Sequence, residues 1–421
     1  MLKLYNTMTR KREVFKPRQG NNVVRMFSCG PSIYRRPHLG NYRSFVWEDV
    51  LQRYLEYLGF KVKRVLNFTD VEDKSIEEAA LEGITLPELT GPVVEQFFVD
   101  AGQLSLKLPD SIPRSSTSVD QAVKLILVLL EKGYAYWYKN NVFFDPLKFK
   151  GFGRLFRLDM SRWPKTKRRF QKDTYLGRRW NLGDFILWHG YRDGDNVFWD
   201  TEIGRGRPSW NIQDPAMVTK HLGYTIDISC GGIDNLYRHH DYNIAVIEAA
   251  SGEEFARYWI HGEHLLVNGK KMSKSLGNVV VPDDLLADGH TGRQVRFFLM
   301  FGHHRKRLNF TAESLRVVSM KLDNLRAILQ EIVEPSPDRR HATVSGPGSR
   351  DLLAALTNGF EKHMDNDLDV RGAVDSLSKT LAKLGALKRI DHLSGKDSLI
   401  IDQKMRRIDS VLQVFYPASS V

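Results

Sequence analysis

Residues 23–28 read VVRMFS, residues 37–41 read PHLGN, and residues 61–68 read KVKRVLNF. The first and last are short runs rich in β-branched and apolar residues, the composition of buried strands. Between them the chain breaks at Cys29-Gly-Pro-Ser, and residues 44–58 then carry apolar side chains at helical spacing. Strand, turn, helix and strand within about fifty residues make a βαβ unit, which implies a parallel sheet.

The same reading extends outward. Val119 to Lys132 is amphipathic at helical period, and Val142 to Asp145 is a short strand. Thr225 to Ser229 reads as a strand ended by Cys230-Gly-Gly-Ile-Asp234, followed by a helix from Asp241 to Ser251. Tyr258 to Val267 returns as a strand, and Asn268-Gly269 is a strong tight-turn signal. From Pro282 onward the periods are helical, broken only by a Pro-, Gly- and Ser-rich segment from Glu334 to Ser349. The expected fold class is α/β: a Rossmann-type parallel-sheet catalytic domain with a basic insertion, followed by an α-helical bundle. The expected division is residues 1–280 with an insertion at about 80–205, a connecting helical stem-contact region at 281–335, and a C-terminal helical domain at 350–421.

Bulk properties narrow the class. The chain has 421 residues, 42% of them hydrophobic, which suits two or three domains and excludes wholesale disorder. Its net charge of +12 suits a polyanionic partner, although charge alone serves solubility equally well. Ten basic residues stand between Arg154 and Arg179 against Asp159 and Asp173, an excess that points to phosphate-backbone contact. Cys29 and Cys230 are the only cysteines, so no disulfide framework is expected and a reducing cytoplasm is. The N-terminus lacks an apolar run behind a basic start, so no signal peptide is expected. The apolar run Leu125 to Leu130 is too short for a bilayer, so no membrane partner is expected.

Two short motifs carry the chemistry. His38-Leu-Gly-Asn41 lies between strand and helix, where Gly40 allows close backbone approach and a helix N-terminus favours phosphate. Lys271-Met-Ser-Lys-Ser275 follows the tight turn, and two lysines three apart on a loop can neutralise phosphates as they leave.

The pair resembles the HIGH and KMSKS signatures of class I aminoacyl-tRNA synthetases. The whole chain is similar to the cysteinyl-tRNA synthetase family through Leu4-Tyr-Asn-Thr-Met-Thr-Arg, Cys29-Gly-Pro-Ser-Ile-Tyr, Asn67-Phe-Thr-Asp-Val-Glu-Asp-Lys, Gly204-Arg-Gly-Arg-Pro-Ser-Trp, Gly231-Gly-Ile-Asp-Asn-Leu-Tyr-Arg-His-His and Met364-Asp-Asn-Asp-Leu-Asp. The resemblance implies activation of an amino acid with ATP and Mg2+ as an aminoacyl-adenylate, then transfer to an acceptor, a tRNA 3′ end in the leading reading. It puts His38, Asn41, Lys271 and Lys274 on the ATP phosphates as catalytic residues. It puts Gly40, Gly231, Gly232, Asp234, Met272 and Ser273 around ATP. Cys29, Thr69, Trp210, Asp214, Cys230, His239 and Asn243 would form the amino-acid pocket, with Asp73 a weaker member.

The departures matter as much. Asn41 stands where the signature has its second histidine, and asparagine still donates a hydrogen bond. The family grips its cysteine substrate through zinc held by two cysteines, a histidine and a glutamate. Cys29 and His239 occupy two of those positions, while Asp214 replaces a cysteine and Asn243 the glutamate. Asparagine is a poor zinc ligand, so zinc is not expected to be held as the family holds it. A rearranged set of Cys29, Asp214, Cys230 and His239 is the chemical alternative. Without zinc, thiol selection fails, so cysteine is not expected to be the preferred substrate, and Asp214, Asn243 and Cys230 would floor a polar pocket for an amino acid that the residues do not name.

The chain stops at Tyr416-Pro-Ala-Ser-Ser-Val421, where the family continues, so the anticodon tail is expected to be missing. In that respect it is also similar to the cysteine ligase of mycothiol synthesis, which makes a small-molecule amine the alternative acceptor. A non-catalytic RNA- or protein-binding paralogue is the third reading, and the intact His38 and Lys271-Met-Ser-Lys-Ser275 speak against it. No oligomeric state follows from these residues.

Overall fold

The computed structural model describes residues 1–18, 20, 22–162, 183–334, 346 and 348–417. In chain order its elements are β1 (Lys3–Asn6), β2 (Lys11–Val14), β3 (Val23–Ser28), α1 (Leu39–Tyr57), β4 (Lys61–Leu66), α2 (Asp73–Glu82), α3 (Leu86–Gln103), α4 (Val119–Glu131), β5 (Ala135–Tyr138), β6 (Asn141–Phe144), β7 (Phe185–Gly190), β8 (Gly206–Pro208), α5 (Trp210–Leu222), β9 (Ile226–Gly232), α6 (Asp241–Ser251), β10 (Ala256–Gly262), β11 (Leu265–Val267), β12 (Lys270–Lys271), α7 (Pro282–Ala287), α8 (Gly292–Phe301), β13 (Leu308–Phe310), α9 (Ala312–Val333), α10 (Ser349–Met364), α11 (Val370–Arg389) and α12 (Gly395–Leu412).

The central sheet is parallel, in the order β10-β9-β3-β4. Strand alternation divides its apolar residues between two faces. Val24, Met26, Ile228, Cys230 and Ile260 pack with Phe45, Val46 and Val50 of α1. Phe27, Val65 and Trp259 pack with Val218 and Leu222 of α5 and Ile244 and Ile247 of α6. The result is a helix–sheet–helix sandwich, the Rossmann-type α/β fold expected. Strand order reverses beside β3, with β4 on one side and β9 on the other. Ligands of such sheets bind in the crevice at the carboxyl ends of the strands flanking that switch point. Cys29-Gly30 follows β3, and Gly231-Gly232 ends β9.

Between β4 and β9 lies an antiparallel sheet, β5-β6-β7-β8, whose Phe144, Phe185 and Trp188 pack with α4, α5 and α6. Of the basic run, Lys165, Lys167, Arg168, Arg169, Lys172, Arg178 and Arg179 lie outside the described residues, as does most of the Pro/Gly/Ser-rich segment after Glu334. The C-terminal helices share one apolar core with α1 and the N-terminus: Leu2, Leu4, Tyr54, Leu356, Phe360, Leu381 and Phe415 belong to the same cluster. The Lys3 amide donates to the Asp365 carbonyl at 2.8 Å, which ties β1 to the end of α10. Among the described residues no helix is long and apolar enough to cross a membrane.

Three local expectations change. The strand expected from Tyr258 to Val267 is two strands in two sheets. The break falls at Gly262, where an added Cβ would lie 2.4 Å from Trp47 Nε1, and the next amide, of Glu263, is taken by the His304 carbonyl at 2.8 Å. The helical tract after Pro282 is interrupted by β13, which pairs in parallel with β11. Three residues are too few for their period to show in sequence. Helix α1 begins at Leu39, five residues before its apolar period starts, because His38 caps it.

Candidate active site

The end expected to meet phosphate is built on the start of α1. The His38 Nδ1 accepts the Asn41 amide at 3.3 Å, and the Asn41 Oδ1 accepts the His38 amide at 3.0 Å, a reciprocal capping box. Because Nδ1 is an acceptor, the proton of neutral His38 sits on Nε2. Burial holds the imidazole below its usual range, so at neutral pH His38 is an uncharged donor. Asn41 has its oxygen engaged, leaving Nδ2 as the donor for the cavity that it lines.

Opposite stands the hairpin of β11 and β12. Asn268 (φ +49°) and Gly269 (φ +76°) both take the left-handed backbone that its two-residue turn requires. The Ser273 amide donates to Asn278 Oδ1 at 2.8 Å, and Asn278 Nδ2 donates to the Lys271 carbonyl at 3.2 Å, closing the loop between them. Lys271 Nζ lies 3.9 Å from Asp234 Oδ2, with both side chains more than half exposed. A pair so exposed is weak and yields readily to a phosphate. Lys274 opens a short helical turn, and its side chain lies outside the described residues.

The two segments face each other across one cavity of about 620 Å³ at the switch point. It is lined by His38, Gly40, Asn41, Lys271, Met272, Ser273, Gly232 and Asp234 at one end, and by Cys29, Thr69, Asp214 and His239 at the other. Gly231 is not in the lining. A Cβ there would lie 2.8 Å from the His240 ring, so its role is close packing behind the wall.

His240 in turn leads to a buried pair. Its Nδ1 is 2.7 Å from His261 Nε2, and His261 Nδ1 is 2.9 Å from Thr7 Oγ1. Burial pushes His261 down to about 3. A histidine whose folded pKa lies below its unfolded value of about 6.5 contributes stability above pH 6.5 and loses it as pH falls toward 3. At pH 5.5 that loss is about 1.4 kcal/mol. The His261→Gln variant is therefore expected to lose less stability between pH 7.5 and 5.5 than the unaltered protein, by about that amount. Urea unfolding at both pH values reads the difference, and identical losses would show that His261 takes up its proton in the folded state.

At the other end, where the amino acid is expected, Cys29 Sγ, an Asp214 carboxylate oxygen and a His239 ring nitrogen lie within 4.8 Å of one another. The thiol donates to Asp214 Oδ2 at 3.7 Å and accepts from Asn235 Nδ2 at 3.1 Å. Burial and the Asp214 charge push the Cys29 thiol well up. Asn67 Nδ2 donates to Asp214 Oδ1 at 2.9 Å, which turns Oδ2 toward Cys29 and His239. His239 follows Arg238, whose left-handed backbone (φ +68°) sends His239 to the cavity while His240 stays buried. Strained backbone of this kind concentrates at functional sites.

Several expected pocket residues lie elsewhere. Cys230 belongs to the apolar core against α1, because strand alternation puts it on the face of Ile228, and it is not part of the donor cluster. Trp210 opens α5 and backs His239, ring centroids 4.3 Å apart, without lining the cavity. Asn243 is buried in α6, its Nδ2 without a hydrogen-bond partner among the described residues, and it too is outside the lining. Asp73 pairs with Arg207 at 2.7 Å. The sequence reading missed Asn67 and Asn235. Both sit inside the matched stretches, but their value lies in contacts to Asp214 and Cys29, far away in the chain.

Comparison with known proteins agrees with this geometry. Residues 15–320 match the family described as the tRNA synthetases class I (C) catalytic domain. A cysteine–tRNA ligase of Chlamydia pneumoniae is 38% identical over 424 residues, covering 100% of this chain and 88% of that protein. One of Chlamydia abortus is 36% identical over 417 residues, covering 98% and 86%. Among solved structures, the Mycobacterium tuberculosis methionyl-tRNA synthetase in complex with methionyl-adenylate superposes with a TM-score of 0.70 over 93% of this chain and 92% of that one. At 15% identity that likeness speaks for the fold alone. A match over this much of the catalytic domain, joined to relatives of this identity along the whole chain, means that the protein belongs to the class I tRNA synthetases and is an ATP-dependent amino-acid-activating ligase.

Proposed function

We propose that the protein activates cysteine with ATP and transfers it to the 3′ end of a tRNA. The observation that carries this reading is the convergence of Cys29, Asp214 and His239 beside the phosphate end of one cavity. Two altered positions argued against zinc. Yet catalytic zinc takes three protein ligands and leaves one position to the substrate, and thiolate, carboxylate and imidazole are its usual donors. The donor set fits, and Asn67 supplies the kind of outer support that metal-ligating side chains need. Zinc held by Cys29, Asp214 and His239 would bind the substrate thiolate and so tell cysteine from serine.

The remaining chemistry belongs to the chain's own side chains. His38, through Nε2–H, and Asn41, through Nδ2, donate to the ATP phosphates while the amino-acid carboxylate attacks the α-phosphorus. Lys271 and Lys274 stabilise the charge that gathers on the departing pyrophosphate. The two unpaired cysteines suit work in a reducing cytoplasm. Pyrophosphate exchange with each of the twenty amino acids, followed by charging of total tRNA, tests the proposal. Exchange preferring another amino acid, or an adenylate that no tRNA accepts, would overturn it.

The basic run gives a second expected outcome. Arg168→Glu together with Arg169→Glu weakens tRNA binding and lowers the slope of log K against log salt by about 1.4 to 1.8, since each lost phosphate contact releases fewer counterions. Filter binding at several salt concentrations measures it, and an unaltered slope assigns the run to a solvated face.

A further inference from the structure

The two ATP-facing segments come from opposite ends of the catalytic region, and one buried cation connects them. Arg43 follows Asn41 by two residues on α1, and its side chain is wholly buried. Among the described residues no carboxylate pairs with its guanidinium. Its nitrogens donate instead to four main-chain carbonyls: Glu263 at 3.2 Å, Leu299 at 3.4 Å, His303 at 3.3 Å and Lys306 at 2.6 Å. Burying a charge is expensive unless its donors are satisfied; here backbone carbonyls accept from them, and the Glu263 carboxylate charge acts in the same sense from further off. Burial pushes Arg43 down to about 10, so it remains a cation at neutral pH.

The four carbonyls belong to two segments. Glu263 leads from β10 into β11, and residues 299–306 lead from α8 into β13. Those segments also meet each other: the Glu263 amide donates to the His304 carbonyl at 2.8 Å, and the Leu308 amide to the His264 carbonyl at 3.2 Å. Strands β11 and β13 pair in parallel, and β12 with Lys271 hangs from β11. Glu263, His264 and Leu265 line the cavity themselves. One rigid fork thus joins the helix turn bearing His38 and Asn41 to the root of the hairpin bearing Lys271. A lysine could meet one of these segments but lacks the planar fork to hold both.

We infer that Arg43 is a positioning residue for adenylate formation, setting the separation of the two phosphate-binding segments across the cavity. A single triphosphate has to be met by both at once, and a misplacement of about 1 Å costs on the order of a hundredfold in rate. The inference rests on the ATP-activating reading of the cavity and is independent of which amino acid is activated.

The test is pyrophosphate exchange in Arg43→Lys and Arg43→Gln, with thermal unfolding of each, and with Val46→Ala, a core variant elsewhere on α1, as a control for lost stability. The expected result for Arg43→Lys is a fall in kcat/KM for ATP of about tenfold to a hundredfold, with the KM for the amino acid unchanged. Val46→Ala should lower the unfolding temperature and leave both constants alone. Folded variants with unaltered constants, equal losses on ATP and amino acid, or failure of both variants to fold would each overturn the inference and leave Arg43 a packing residue. Unaltered protein that exchanges no amino acid would overturn the ATP-activating reading along with it, a result that the variants alone could not produce.

Discussion

Lys274→Ala is expected to slow adenylate formation by about a hundredfold or more, equivalent to about 3 kcal/mol, while the affinity for the amino acid stays nearly unchanged. The reason lies in when the charge appears. In the proposed reaction the triphosphate would be countered beforehand by Mg2+ and the α1 N-terminus; as the bond breaks, new negative charge would collect on the pyrophosphate, toward the hairpin. A cation acting on that charge lowers the barrier and leaves ground-state binding alone. The loop that carries it is pinned at its root by Asn278, which holds Ser273 and the Lys271 carbonyl. Single-turnover measurement of adenylate, at saturating ATP and amino acid, isolates the step. A rate within a few-fold of the unaltered protein would remove Lys274 from the chemistry.

Cys29→Ser is expected to abolish metal uptake and to lower kcat/KM for cysteine by about a hundredfold or more, with the KM for ATP unchanged. Loss of a group that merely supports a metal ligand typically costs ten- to a hundredfold, and Cys29 is proposed as a ligand itself. The thiolate is also the soft member of the set; with serine in its place, only Asp214 and His239 remain to hold the ion. Asp214→Asn should act in the same direction, since it removes one of two negative charges. Elemental analysis of the purified protein, beside competition between cysteine and serine in pyrophosphate exchange, reads both halves. Unaltered protein free of zinc and indifferent between cysteine and serine would return the pocket to the alternative that sequence favoured, a site selecting its amino acid by hydrogen bonds alone.

Where local chemistry suffices, the residues announce the structure. Val23–Ser28 and Asp241–Ser251 are a strand and a helix with the bounds expected, and Asn268-Gly269 makes the tight turn that its left-handed conformers favour. The parallel βαβ unit of β3, α1 and β4 follows from a pattern contained within about fifty residues. His38 and Lys271 were legible for the same reason: helix start and hairpin loop are both local structures.

What tertiary structure alone decided concerns partners distant in the chain. Cys230 offered itself as a ligand by composition, yet its strand face is set by pairing with β3 and β10, and that face is the apolar core. Asn67 gains its importance from Asp214, 147 positions away, and Asn235 from Cys29, 206 positions away. Nothing in the sequence singles out Arg43, because the backbone carbonyls that it meets lie more than two hundred positions off. Helix, strand and turn propensities act between near neighbours, so the sequence by itself determined the βαβ unit and the two segments expected to meet phosphate. Which side chains face the cavity together depends on how strands pair and helices pack over the whole chain, and only the tertiary structure decided that.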